Sequence, residues 1–122
     1  MKRKLLFMIF TEEACKQNHA FMYALECAGK GCDVKIILEG PATARLRMLA
    51  KDAKFSELFK RAKNAKLIEG ICRTAAKGCS TGIKARNVTM IAKREGLKLI
   101  SELDGHAGIA RFISLGYQVL IF

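Results

Sequence analysis

The sequence predicts an α/β fold: a three-layer sandwich with a mainly parallel five-stranded sheet covered by helices on both faces. Three observations carry that prediction. Short apolar runs alternate with longer stretches of helical period from one end to the other. The runs are continuously apolar, as strands buried on both faces are. Glycines close several of the helical stretches, where a left-handed residue ends a helix most easily.

The elements follow in order. Lys4 to Phe10 reads as a buried strand bounded by charge. Thr11 is placed as the N-cap of a helix, with Glu12 and Glu13 favouring its positive end. That helix runs to about Ala28 and stops at Gly29-Lys30-Gly31. Val34 to Leu38 is the second strand. Gly40-Pro41 opens two helical pieces, Ala42 to Lys51 and Phe55 to Ala65, broken near Asp52. Leu67 to Ile71 is the third strand. A helix from about Thr81 to Glu95 precedes a short fourth strand, Leu97 to Ile100. His106 to Leu115 reads as the last helix, closed by Gly116, and Tyr117 to Phe122 as the fifth strand.

Composition bounds the function. With 122 residues, 51% hydrophobic, and one proline, the chain is a single domain, 1–122, able to bury a core without disulfides. The opening Met1-Lys2-Arg3-Lys4 precedes only six apolar residues. A signal peptide needs about 7–15, and a membrane span about 20. The expectation is a cytoplasmic chain without a membrane segment. Five cysteines in a reducing compartment then point to metal binding, sulfur chemistry or plain burial rather than to a disulfide framework. The formal charge of +11 invites a polyanionic partner.

Parallel α/β sheets bind ligands beyond the carboxyl ends of their strands. Cys15, Cys72, Cys79 and His106 fall at that edge, whereas Cys27 and Cys32 flank a turn at the other. The densest stretch is GICRTAAKGCSTG, residues 70–82. The spacing C-x6-C lacks the tight pairs of a zinc site, so neither a metal nor another cofactor is called for, although a composite of Cys15, His19, Cys72, Cys79 and His106 stays conceivable. Gly70, Gly78, Gly82 and Lys77 match no phosphate-loop pattern, but free N–H groups at Ser80-Thr81 could hold an anion. A thiolate reading is also open. Arg73 and Lys77 flank Cys72, Cys79 precedes a helix start, and both settings should lower a thiol pKa. Small buried cysteines are the plain alternative. His106 would serve such a thiol as acid or base, or simply cap a turn.

The stretch LIEGICRTAAKG resembles the motif of the DsrE/DsrF/DsrH-like proteins, small cytoplasmic α/β proteins of sulfur relay. There a strand ends in a cysteine, followed by small residues, a basic residue and a glycine. Cys72, Ala75, Ala76, Lys77 and Gly78 take those places, with Lys77 standing where an arginine is expected. KLLFMIF and GYQVLIF are also similar to members of the family, so the likeness covers the chain in layout and is specific over residues 67–79. The resemblance implies a persulfide carrier of sulfurtransferase type. Cys72 would accept sulfane sulfur from a donor protein and pass it to an acceptor, within a homo-oligomeric or mixed trimer or hexamer. Cys79 would be placed to resolve the persulfide as a disulfide.

A second expectation rests on charge. RLRMLAKDAKFSELFKRAKNAK holds Arg45, Arg47, Lys51, Lys54, Lys60, Arg61, Lys63 and Lys66 against Asp52 and Glu57. A solvated helix face is the ordinary explanation, and a basic oligomeric module for RNA, a nucleotide or an acidic protein is the functional one. Arg73, Lys77, Gly78, Ser80 and Thr81 would then bind the anion or partner. With no tryptophan and two tyrosines to stack bases, RNA affinity would be weak, non-specific and salt-sensitive.

Overall fold

A computed structural model of the chain describes residues 2–78 and 85–122. Strands β1 (Lys4–Ile9), β2 (Asp33–Leu38), β3 (Ile68–Cys72), β4 (Leu99–Ile100) and β5 (Gln118–Ile121) form one sheet in the order β4-β3-β2-β1-β5. Every pairing is parallel. The helices are α1 (Ala14–Gly29), a 3-10 helix (Gly40–Met48), α2 (Ala53–Asn64), α3 (Arg73–Lys77), α4 (Ala85–Arg94) and α5 (Ala110–Ser114). The predicted α/β sandwich is the observed fold.

Strand alternation sorts the core into two layers. Leu5, Phe7 and Ile9 of β1 face a large cluster with Ala20, Phe21 and Ala24 of α1 and Val88 and Ala92 of α4. In α2, Phe55, Leu58, Phe59 and Ala62 repeat at the spacing of one helix face, and all four are buried there. Leu6 and Met8 point the other way, into a smaller cluster with Ile37, Cys72, Ala75, Ala107 and Phe112 of α5. Right-handed crossovers explain the division. The connections from β1 to β4 advance in one direction and put their long helices on one face. The connection to β5 returns across the sheet and puts α5 on the other.

That second face is thin, and three ties hold it. The Arg111 guanidinium binds Glu102 at 2.6 Å and Glu69 of β3 at 3.3 Å while lying 4.1 Å from the Phe112 ring centroid. Tyr117 donates its hydroxyl to Asp33 at 2.8 Å. Lys4 donates to the Leu115 carbonyl at 3.0 Å.

Local chemistry moves several expected boundaries. Glu13, not Thr11, caps α1: its carboxylate accepts from Cys15 N–H, and the Thr11 hydroxyl accepts from Glu13 N–H. The first piece after Pro41 winds as a 3-10 helix. Asp52 ends the break by capping α2 through Phe55 N–H at 3.0 Å. A short helix not foreseen, α3, begins directly at Cys72 and closes at Gly78, whose φ of 114° suits a glycine C-cap. His106 does not open the last helix, which begins only at Ala110. Gly70 is structural: a β-carbon there would meet the Lys98 carbonyl at 2.5 Å, so only glycine lets β4 pair this closely with β3.

Candidate functional site

Three residues from three consecutive crossovers meet at the carboxyl edge. Glu39 follows β2, Cys72 ends β3, and His106 lies beyond β4. One carboxylate oxygen, the thiol sulfur and one ring nitrogen all lie within 4.8 Å of one another. The site sits beside the strands β2, β3 and β4, away from the reversal of strand order between β1 and β5.

Each side chain is held by its backbone. Glu39 leaves β2 as the cap of the 3-10 helix. Its N–H donates to the Ile9 carbonyl at 2.9 Å, and its Oε1 accepts from Gly40 N–H at 2.8 Å. It is 7% exposed, and no ion pair among the described residues neutralises it. Cys72 is fully buried and caps α3, its Sγ accepting from Ala75 N–H at 3.4 Å. His106 closes a tight antiparallel turn with Leu103, joined by two backbone hydrogen bonds of 2.7 and 2.9 Å. The central pair, Asp104 and Gly105, has φ values of 48° and 87°, the double positive φ of a type I′ turn. Thr74 clamps the turn to α3, with its N–H and hydroxyl both donating to the Gly105 carbonyl at 3.1 and 2.7 Å. His106 Nδ1 is thereby 3.4 Å from Cys72 Sγ.

The electrostatics run against the expected activation by cations. Burial pushes the Cys72 thiol above its ordinary 9.0, and the neighbouring Glu39 carboxylate adds to the rise. The N–H groups of Ala75 and Ala107 pull it back in part. Arg73 and Lys77 are exposed and are not among the groups that shift it. Cys72 therefore rests as a thiol with two proton acceptors beside it, rather than as a standing thiolate. A thiol, an imidazole and a carboxylate so placed can pass a proton away from sulfur as it attacks. The same donors could hold a zinc-type ion through thiolate, imidazole and carboxylate.

Of the other residues singled out from sequence, Cys79, Ser80, Thr81 and Gly82 lie outside the described residues. Gly78 serves as the α3 cap. Cys15 and His19 are exposed and form their own pair, but His19 Nδ1 is 2.8 Å from the Cys15 carbonyl, a better acceptor than the sulfur at 3.6 Å. Of the composite metal set, the described cluster retains Cys72 and His106 and adds Glu39. Cys27 and Cys32 sit together at the opposite edge, where Cys32 N–H donates to the Cys27 carbonyl at 3.1 Å. Burial and then the Cys32 thiol raise the Cys27 pKa.

Glu39 is the residue sequence reasoning missed. Its signal was there: an acidic residue at the carboxyl end of an apolar strand, in IILEG. The turn holding His106 was also legible, since Asp-Gly is the strongest short signal for a type I′ turn.

No family model matches the chain. A protein of Archaeoglobus fulgidus, described only as uncharacterized, is 55% identical to it over 31 residues, which are 25% of this chain and 84% of that one. The two are relatives over that stretch. No solved structure matches.

Proposed function

We propose that the chain is a sulfur carrier, taking up sulfane sulfur on Cys72 as a persulfide and passing it to an acceptor. The observation that supports this best is the buried thiol held 3.4 Å from His106 Nδ1, with the Glu39 carboxylate in the same cluster. The likeness of residues 67–78 to the DsrE-like motif points the same way.

The chemistry balances without an oxidant. A donor R–S–SH approaches, and the Cys72 proton passes to His106 or Glu39. The sulfur lone pair attacks the outer sulfur of the donor, a new S–S bond forms, and the donor's own S–S bond breaks. R–S⁻ leaves with the electron pair and recovers the proton, giving Cys72–S–SH and R–SH. The Ala75 and Ala107 N–H groups, which already favour negative charge on this sulfur, would hold the ionised persulfide. Donor and acceptor proteins are the partners this reaction needs. Homo-oligomeric assembly and a cytoplasmic setting belong to the same reading.

Reduced protein, incubated with a sulfane-sulfur donor and mapped by peptide mass spectrometry, tests it. One added sulfur on Cys72, lost in Cys72→Ser and slowed in His106→Asn, is the expected result. Cys79→Ser asks in parallel whether a second thiol releases the sulfur. A second reading rests on the three-donor cluster: stoichiometric zinc or cobalt, lost on Glu39→Gln and Cys72→Ser, with no sulfur adduct, would make the site a metal centre instead.

A further inference from the structure

Two arginines two residues apart in the 3-10 helix are treated in opposite ways. Arg45 is saturated. It binds Asp52 at 2.7 Å and Gln17 at 3.3 Å, and it lies 5.0 Å from the Phe55 ring centroid. Arg47 has no such company. Its Nε is buried without a hydrogen-bond partner, and it enters no ion pair among the described residues. A buried guanidinium donor without an acceptor calls for a partner from outside the chain.

Arg47 lies where two hollows meet, and Ile91 and Arg94 of α4 line both with it. The inner hollow, about 240 Å³, has Leu46, Leu49 and Phe59 in its walls, with Lys60 also lining it. Glu95 lines it too, but that carboxylate is already bound by Lys63 at 3.0 Å. The outer hollow, about 380 Å³, adds Lys51 and Met90. Neither Lys51, Lys60 nor Arg94 forms an ion pair among the described residues. The combination is an apolar floor beside convergent cations, the make-up of a small-molecule site for an organic anion. Several uncompensated cations favour a ligand carrying more than one negative charge, and guanidinium forks suit phosphate oxygens.

We infer that this cleft between the 3-10 helix, α2 and α4 binds a small organic phosphate, with the phosphate oxygens on Arg47 and Arg94 and the uncharged body over Leu49 and Ile91. The site is separate from Cys72 and does not depend on the sulfur-carrier reading.

Calorimetric titration of the full chain with ADP, adenosine, inorganic phosphate and a single-stranded RNA dodecamer tests it. ADP is expected to bind one per chain, more tightly than inorganic phosphate, while adenosine gives no signal. Arg47→Met and Arg94→Met should each weaken ADP by about tenfold or more, the weight of a charge-assisted hydrogen bond. Arg94 is exposed, so its variant folds independently of the outcome, and Lys16→Met on α1 should change nothing. Absence of ADP binding, or equal losses in Lys16→Met, overturns the proposal. Binding of RNA alone, with a steep salt dependence, overturns it too and assigns the surface to nucleic acid.

Discussion

Cys72 shows how little a thiol's chemistry follows from its neighbours in sequence. Arg73 and Lys77 suggest an activated thiolate, yet both point to solvent, while the contacts that matter come from Glu39 and His106, more than thirty positions away. Because Glu39 raises the thiol pKa, Glu39→Gln removes a negative charge and should move the pH profile of Cys72 alkylation to lower pH. Wild-type alkylation, followed by mass spectrometry, should still be rising at pH 9. A profile unchanged by the variant would mean that the carboxylate does not act on the sulfur. Gly105 is the second residue with a legible consequence. Its φ is 87°, and a β-carbon would lie 2.7 Å from the Thr74 hydroxyl. Gly105→Ala should cost about 1–3 kcal/mol in chemical unfolding and displace His106, slowing sulfur uptake more than stability alone explains.

At the scale of elements, periodicity located the strands and the long helices because hydrophobic burial dominates there, while the pieces shaped by single hydrogen bonds escaped it. α3 is five residues long, too short for a pattern, and exists because Cys72 caps it and Gly78 ends it. The 3-10 helix has small buried residues on most sides, so no helical stripe marks it. Asp-Gly before His106 outweighed the apolar spacing that suggested one continuous helix. A cap and an ion pair also govern acid stability. Phe55 N–H and then Arg45 hold the Asp52 carboxyl below its ordinary 3.8, and Arg111 holds Glu102 below its ordinary 4.5. These groups stabilise the fold above their ordinary values, and that contribution is lost as pH falls through the lowered ones. The melting temperature should therefore drop below about pH 4.5, less steeply in Asp52→Asn and Glu102→Gln, by thermal melts across pH.

For the whole molecule, alternation alone was enough to read the sheet, since a parallel arrangement forces apolar strands and amphipathic crossovers. The strand order was not readable, and it is the order that decides which strand ends become neighbours. β2, β3 and β4 lie side by side, so the residues at their carboxyl ends share a site, whereas among the described residues β1 and β5 bring no side chain to it. Among the described residues, no helix is long and apolar enough to cross a membrane. Burial of the Tyr117 hydroxyl and its bond to Asp33 push its pKa to about 12, so an ultraviolet titration should find this tyrosine ionising later than an ordinary tyrosine.

Since Glu39, Cys72 and His106 hang from three successive crossovers, the cluster comes into being only after the middle of the sheet has paired. Its sulfur is open to water until that step is complete and sealed from it afterwards. Labelling of Cys72 thus serves as a clock for folding: in a refolding chain, the fall from the fast labelling of the open thiol to the slower rate of the finished cluster marks the moment at which the central strands pair.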